Sequence, residues 1–436
     1  MAREKKEAKP KKAKKVLSYE QKQKKKLINM IIPTVIFGVM FMFFGITGIV
    51  TTVGSDALLK KVQAVEPVKY DHERFLPEID ENTGKAKLDE NGCFNFVIDE
   101  EDFTRDFKIL QLTDVHIGAG AFSIKKDGYA VQAVIDLVTR NQPDLVVVTG
   151  DIAYPVPFQS ATLNNMKEAK VFATLMEKLG VYWTFTFGNH DTEAYSSYDR
   201  AQIADFYESN EWSKCIFTKG PSDVDGYGNF VINIKSKNTT TNVETIKHSL
   251  FMFDSHSYTD GDIFGAAWKY DYIHDNQVAW YENMVKTLGL EKKDGEILGT
   301  PSTAYFHIPL LEYRDAYNKY LEGNPEVERI DGSVSESGKF VYSSDHRSTL
   351  FAKMMELGST TGTFCGHDHK NNISLKYTPA GADHSITLTY GMSIDYLAYP
   401  GIYKITDYRG GRIININPQD GTWTSTQDHY ETNLAA

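Results

Sequence analysis

The fold class this sequence predicts is α/β: two packed mixed β-sheets flanked by helices, preceded by one N-terminal transmembrane helix. Three observations predict it. First, five apolar runs, read as buried strands, stop abruptly in Asp, Asn or His: Thr113-Asp114-Val115-His116, Gly150-Asp151, Gly188-Asn189-His190-Asp191, His307 and Gly366-His367-Asp368-His369. Second, the first three runs are separated by helical-period faces, giving β-α-β-α-β. Those faces are Val131, Val134, Leu137 and Val138, then Leu163, Met166, Phe172, Leu175, Met176 and Leu179. Third, residues 27–53 contain no charged side chain.

The elements are read in order. Residues 1–26 hold 12 Lys/Arg against 3 Asp/Glu, a charge of +9, and form a basic tail that cannot build a core. Residues 27–53 are long and apolar enough to span a bilayer, and Pro33, Gly38, Gly45 and Gly48 are tolerated in such a helix. A cleavable signal peptide is the alternative, with Ser55-Asp56-Ala57 as a cleavage-like site, although the run is longer than a usual signal core. The basic flank predicts a cytoplasmic N-terminus and an extracytoplasmic body at the cell membrane. Residues 54–104 read as a stalk and lead-in hairpin, with an Asn91-Gly92 turn and an edge contributed to the main domain.

The body, residues 105–436, begins with strands at 107–112, 145–149 and 181–187. Strands at 249–253, 303–306 and 362–365 follow, with helices at 278–288 and 350–357. The last stretch (386–390, 401–407 and 411–417) is β-only and reads as the completion of a second sheet. Residues 219–247 and 312–344 read as insertions with little core. At 41% hydrophobic residues the chain can bury a sizeable core. After residue 26 it carries 35 Lys/Arg against 55 Asp/Glu, or −20, which is a poor match for nucleic acid. Three cysteines, Cys93, Cys215 and Cys365, are too few for a disulfide framework and read as packed thiols.

The polar strand ends collect at one rim, because the carboxyl ends of strands are where α/β sheets bind ligands. Imidazoles, carboxylates and an amide together suit two divalent ions such as manganese, iron or zinc. Asp151 is the natural bridge, since a carboxylate can offer one oxygen to each ion. Such a pair lowers the pKa of a water and clamps both sides of an in-line displacement. The residual positive charge attracts a phosphate ester.

The order and local wording of these motifs resemble the calcineurin-like metallophosphoesterases, and especially their small purple-acid-phosphatase-like branch. Beyond the strand ends, Leu250 to Ser255, Phe306 to Tyr313 and Phe364 to His369 carry the likeness, which covers roughly residues 105–417. The resemblance implies that Asp114, His116 and His369 hold one metal, that Asn189, His307 and His367 hold the other, and that Asp151 bridges. It also implies that His190 faces the phosphate and leaving group, with Asp191 orienting it. Purple acid phosphatases proper place a metal-binding Tyr where this chain has Tyr154, and lack the His of Asp-x-His. With both present, His116 is the expected ligand and Tyr154 a nearby wall. His256, Tyr258, Asp395 and Tyr399 are secondary candidates for the substrate side. The expected activity is hydrolysis of phosphate monoesters by metal-activated hydroxide. Phosphodiester hydrolysis is the alternative, and an inactive ligand-binding ectodomain the alternative from another class.

Overall fold

The strand ends expected to meet at one rim do so because two sheets deliver them. The computed structural model describes residues 18–291, 297–405 and 407–431, so most of the basic tail lies outside the described residues. Contacts divide the chain into two units between Val50 and Thr51. Helix α1 (Tyr19–Gln63) opens on reciprocal bonds between Ser18 and Gln21, the side chain of each taking the other's N–H. It is long and apolar enough to cross a membrane, with a mean hydropathy of 2.3 and nothing buried over its best 18-residue window. Thr34 and Thr47 bond back to the carbonyls of Met30 and Phe43, so neither hydroxyl is left unpaired in the apolar run.

From Thr51 onward the elements are, in order, β1 (Cys93–Asp99), β2 (Phe107–Leu112), α2 (Ile124–Asn141), β3 (Leu145–Thr149), α3 (Pro157–Ser160), α4 (Asn165–Leu179), β4 (Tyr182–Thr186) and α5 (Arg200–Glu208). Then come β5 (Phe230–Lys237), β6 (Glu244–Met252), α6 (Asp275–Leu288), the short pair β7 (Leu290–Glu291) and β8 (Ile297–Leu298), β9 (Ser302–Tyr305) and α7 (Leu311–Leu321). The chain closes with β10 (Val327–Asp331), α8 (Leu350–Leu357), β11 (Thr360–Cys365), β12 (Ser374–Tyr377), β13 (Ile386–Tyr390), β14 (Gly410–Ile416) and β15 (Trp423–His429). One sheet runs β15-β14-β2-β3-β4 and the other β1-β5-β6-β9-β11-β13-β12-β10. Both are mixed: β2, β3 and β4 are parallel with β14 antiparallel, and β6, β9, β11 and β13 are parallel between antiparallel flanks.

Side chains alternate across a strand, so the larger sheet can serve two cores. Leu250, Met252, Tyr305 and Phe364 enter the core shared with the smaller sheet. Their neighbours Phe251, Ala304 and Cys365 enter a second core with α6, α7 and α8. Contacts such as Phe96 on Phe107 (4.9 Å) and Phe364 on Trp423 (5.3 Å) join the two sheets.

Several expectations need correction. Residues 219–247 are not a coreless insertion, because β5 places Phe230 to Ile234 in the buried interior of the larger sheet. Residues 312–344 contain most of α7, whose Tyr313 hydroxyl reaches Thr363 at 2.8 Å, and the edge strand β10. The predicted strand at 401–407 is a 3-10 turn at Ile402–Lys404, and residue 406 lies outside the described residues. Strand β13 belongs to the larger sheet, so only β14 and β15 complete the smaller one. The lead-in does supply an edge, through β1 on β5, although its hairpin is reduced to single bridges such as Leu88 to Phe94. It is bolted down by Lys85, whose ammonium donates to the carbonyls of Glu208 and Ser209 at the end of α5. The three cysteines are free and buried, as expected.

Candidate metal centre

Each sheet contributes to the centre. Strands β2, β3 and β4 end in Asp114 and His116, Asp151, and Asn189; β9 and β11 end in His307, and His367 and His369. Four of these residues, Asp114, His116, Asp151 and His369, offer ligand atoms that all lie within 4.8 Å of one another, and all four are buried. A second group also gathers at Asp151. His307 Nε2 stands 3.1 Å from Asp151 Oδ2 and 3.1 Å from Asn189 Oδ1, and His367 Nδ1 lies 3.0 Å from that same amide oxygen. The seven expected ligand residues therefore meet in one place.

The backbone is bent to bring them there. Asp114, His116, Asp151 and His367 all have positive φ (50°, 52°, 55° and 78°), which non-glycine residues adopt at a cost. Glycine permits the close approach of the loops. A Cβ on Gly188 would collide with the Asp151 carboxylate, and one on Gly366 with the Thr113 hydroxyl.

Both groups of donors approach the same oxygen of Asp151. Its Oδ1 accepts the His190 N–H at 2.8 Å, while Oδ2 faces both His116 Nε2 (3.3 Å) and His307 Nε2 (3.1 Å). Burial alone would raise the Asp151 carboxyl, but the His307, His190 and His116 imidazoles hold it well below the usual range. The rings are pinned from behind. His307 Nδ1 donates to the Thr149 carbonyl at 2.8 Å, which turns Nε2 inward. Asp395 stands behind the other group, 3.3 Å from His116 Nδ1 and 2.9 Å from His369 Nδ1. Burial disfavours its charge, yet the two imidazoles keep it well below the usual carboxylate range. In return, and against burial, Asp395 and Asp151 push His116 up to about 10.

These residues fit a divalent cation. Asp114 Oδ1 is buried with no hydrogen-bond partner, while Oδ2 is taken by the Thr113 hydroxyl and the His367 N–H. An orphaned carboxylate oxygen among imidazole nitrogens costs free energy unless a cation completes it. A carboxylate behind His116 and His369 and a backbone carbonyl behind His307 are usual means of fixing the orientation of a metal-facing imidazole.

Two expectations about neighbours change. Asp191 does not orient His190. Its carboxylate accepts the N–H groups of Asp151 (3.0 Å), Ala153 (2.8 Å) and Gly188 (2.8 Å), tying the β3 and β4 loops together. The partner of His190 is Glu193, whose Oε1 is 2.7 Å from Nδ1. Asp395, expected near the substrate, sits behind the imidazoles instead. Both residues had a signal in the sequence. Asp395 follows β13 as another polar strand end, and Glu193 lies three residues after His190, within reach of a tight turn. Tyr258 takes the Asn189 amide N–H at 2.9 Å, which aims Asn189 Oδ1 at His307 and His367. Tyr270 packs on His367 at 4.3 Å, and Tyr399 on His369 at 4.9 Å. The Tyr154 ring lies against His116 at 4.5 Å and is a wall of the site. His256 is held by Gln277 at 3.0 Å and lines a cleft of about 470 Å³ with Glu193, Arg200 and Tyr258.

The family described as calcineurin-like phosphoesterase matches residues 107–371, and the chain belongs to that family. The Arabidopsis thaliana protein named "Probable inactive purple acid phosphatase 14" is 29% identical over 312 residues, spanning 67% of this chain and 71% of that protein. "Phosphatase DCR2" of Saccharomyces cerevisiae is 30% identical over 306 residues, which is 65% of this chain and 47% of that protein. A crystal structure of a dimetal phosphatase from Danio rerio superposes with a TM-score of 0.41 at 10% identity, covering 74% of this chain and 99% of that one.

The position of Asp191 predicts a structural role. Asp191→Ala leaves three buried N–H groups without an acceptor and should cost about 3 kcal/mol or more of stability. Urea unfolding of chelator-treated protein measures this free of metal binding. A loss below about 1 kcal/mol, the worth of one ordinary hydrogen bond, would contradict the assignment.

Proposed function

We propose that this chain is a binuclear-metal phosphoesterase that hydrolyses phosphate monoesters. The observation that carries the reading is Asp151 Oδ2, a single buried oxygen facing both donor groups. Asp114, His116 and His369 would hold one divalent ion and Asn189, His307 and His367 the other, with Asp151 between them. Once bound, such a pair activates water and neutralises the charge of the phosphoryl group.

The remaining chemistry belongs to side chains. His190 has a side chain 23% exposed, and its Nδ1 is engaged by Glu193, which leaves Nε2 to face the open side of the centre. There it donates a proton to the departing alkoxide as the P–O bond breaks, a general-acid role worth about 10²–10⁴-fold. Glu193 fixes the ring and is fixed in turn by the Tyr258 hydroxyl at 3.3 Å. Asp395 keeps His116 and His369 from rotating out of position. The relatives named inactive favour a second reading, a ligand-binding ectodomain. Against it stand the complete donor set and a histidine held by its own carboxylate, neither of which binding alone requires.

The apolar run of α1 and the basic residues before it support an uncleaved membrane anchor, with the body from residue 54 outside the cytoplasm. In this account, protease added to intact cells removes the body and spares the basic tail. Protection of the body would refute that topology.

For the chemistry, His190→Ala should keep close to two metal ions per chain by elemental analysis while turnover falls by about 10²–10⁴-fold. The fall should be smaller for p-nitrophenyl phosphate, whose leaving group needs little protonation. Metal lost in proportion to activity would make His190 a ligand instead. Comparing p-nitrophenyl phosphate with its bis ester separates monoesterase from diesterase, and hydrolysis of neither would leave the ectodomain reading.

A further inference from the structure

The loop between β6 and α6 presents an apolar tip on a built support. Ile263, Phe264 and Trp268 are 68%, 65% and 70% exposed. Their loop is nonetheless ordered by its own bonds. The Asp262 carboxylate accepts the N–H groups of Ala267 and Lys269 at 3.0 and 2.9 Å, and Thr259 N–H donates to the Lys269 carbonyl at 2.9 Å. The stem pairs Tyr258 with Tyr270. These are the two residues that touch Asn189 and His367, so the tip stands directly on the wall of the metal centre. Two more large apolar side chains stand on the connections that follow His116 and Asp151, Phe122 (48% exposed) on the first and Phe158 (90% exposed) on the short helix α3 of the second. Those connections are joined where Phe122 N–H donates to the Ser160 carbonyl.

The rim is also tied to the end of the apolar run. Within the unit Thr51–Ala436, the Ala121 N–H donates to Thr51 Oγ1 at 3.0 Å, and Gly54 packs so closely on Ile124 that a Cβ there would collide. Ala121 lies on the loop leaving His116, whose Gly118 and Ala119 N–H groups are clamped by Asp127 at 2.9 and 3.0 Å. The charge-free stretch ends at Val53, two residues after the Thr51 that holds this loop. Exposed apolar patches mark interaction sites, and tryptophan favours the membrane interface. The −20 charge of the chain after residue 26 leaves apolar contact, rather than attraction to anionic lipid, as the means of docking.

We propose that the metal-bearing rim works against a lipid bilayer, with Ile263, Phe264 and Trp268 seated in its interfacial layer, and that the substrate is a phosphate monoester carried on an amphiphile resident there. The substrate class rests on the phosphoesterase reading; the bilayer seat does not.

The test uses the full chain reconstituted in phosphatidylcholine vesicles. Phosphatidylcholine brominated near the headgroup end of its acyl chains should quench tryptophan fluorescence, and Trp268→Phe should remove most of that quenching. Equal quenching in both proteins would overturn the bilayer seat and leave a protein partner for the tip. In the same vesicles, dioleoyl phosphatidic acid should be hydrolysed with a kcat/KM at least about 10-fold above that for soluble glycerol 3-phosphate. The variant Ile263→Ser/Phe264→Ser/Trp268→Ser should abolish that preference while leaving p-nitrophenyl phosphate turnover unchanged. Comparable rates on the two substrates would overturn the substrate class. Quenching that depends on Trp268, with no hydrolysis of any ester, would retain the bilayer seat and reject the enzymatic reading.

Discussion

The rest of this structure depends on one carboxylate, Asp151. It lies at the end of the central parallel strand β3 with a left-handed backbone, 1% exposed, with three imidazoles near its charge. A buried carboxylate survives only with compensation, and here the compensation comes from every direction. The His190 N–H takes one oxygen, His116 and His307 face the other, and Asp191 holds the backbone N–H. Remove the carboxylate and the two donor groups lose the atom they share.

That dependence explains why the fold needs both sheets. Asp114 and His116 come from the smaller sheet, and the His369 that completes their group comes from β11 of the larger one. Asn189, from the smaller sheet, likewise meets His307 and His367 from the larger. Neither group exists within one sheet, so the aromatic packing of Phe96 on Phe107 and Phe364 on Trp423 positions the chemistry as well as burying area. Supporting carboxylates behind the first donors hold these positions: Asp395 behind two imidazoles, Asp191 across two loops and Glu193 behind His190. Precise placement of reacting groups demands that kind of second support.

Much of this was legible in the sequence, for a definite reason. An apolar run that ends in Asp or His announces both a strand and its functional end, so the polar strand ends and the two-sheet class follow from local pattern, whereas the sorting of seven of those residues into two metal-holding groups rests on the resemblance to the metallophosphoesterases. What the pattern could not carry was side-chain direction at turns. Asp191 adjoins His190 in sequence, yet the turn points its carboxylate at three backbone N–H groups, and the residue three positions on from His190 reaches the ring instead. Asp395 reads as a residue of the substrate side, because nothing in one strand shows that it stands behind His116 and His369 of two others. The stretch at 219–247 reads as coreless because its Lys, Asn and Thr content masks a strand whose first five residues, Phe230 to Ile234, are all buried.

The central claim is that one carboxylate oxygen sits between two metal ions. Anomalous diffraction from crystals of the manganese-loaded protein, collected at the metal edge, tests it directly. The account predicts two peaks about 3.5–4 Å apart on either side of Asp151, one beside Asp114, His116 and His369 and the other beside Asn189, His307 and His367. A single peak, or two peaks of which Asp151 touches only one, would contradict it.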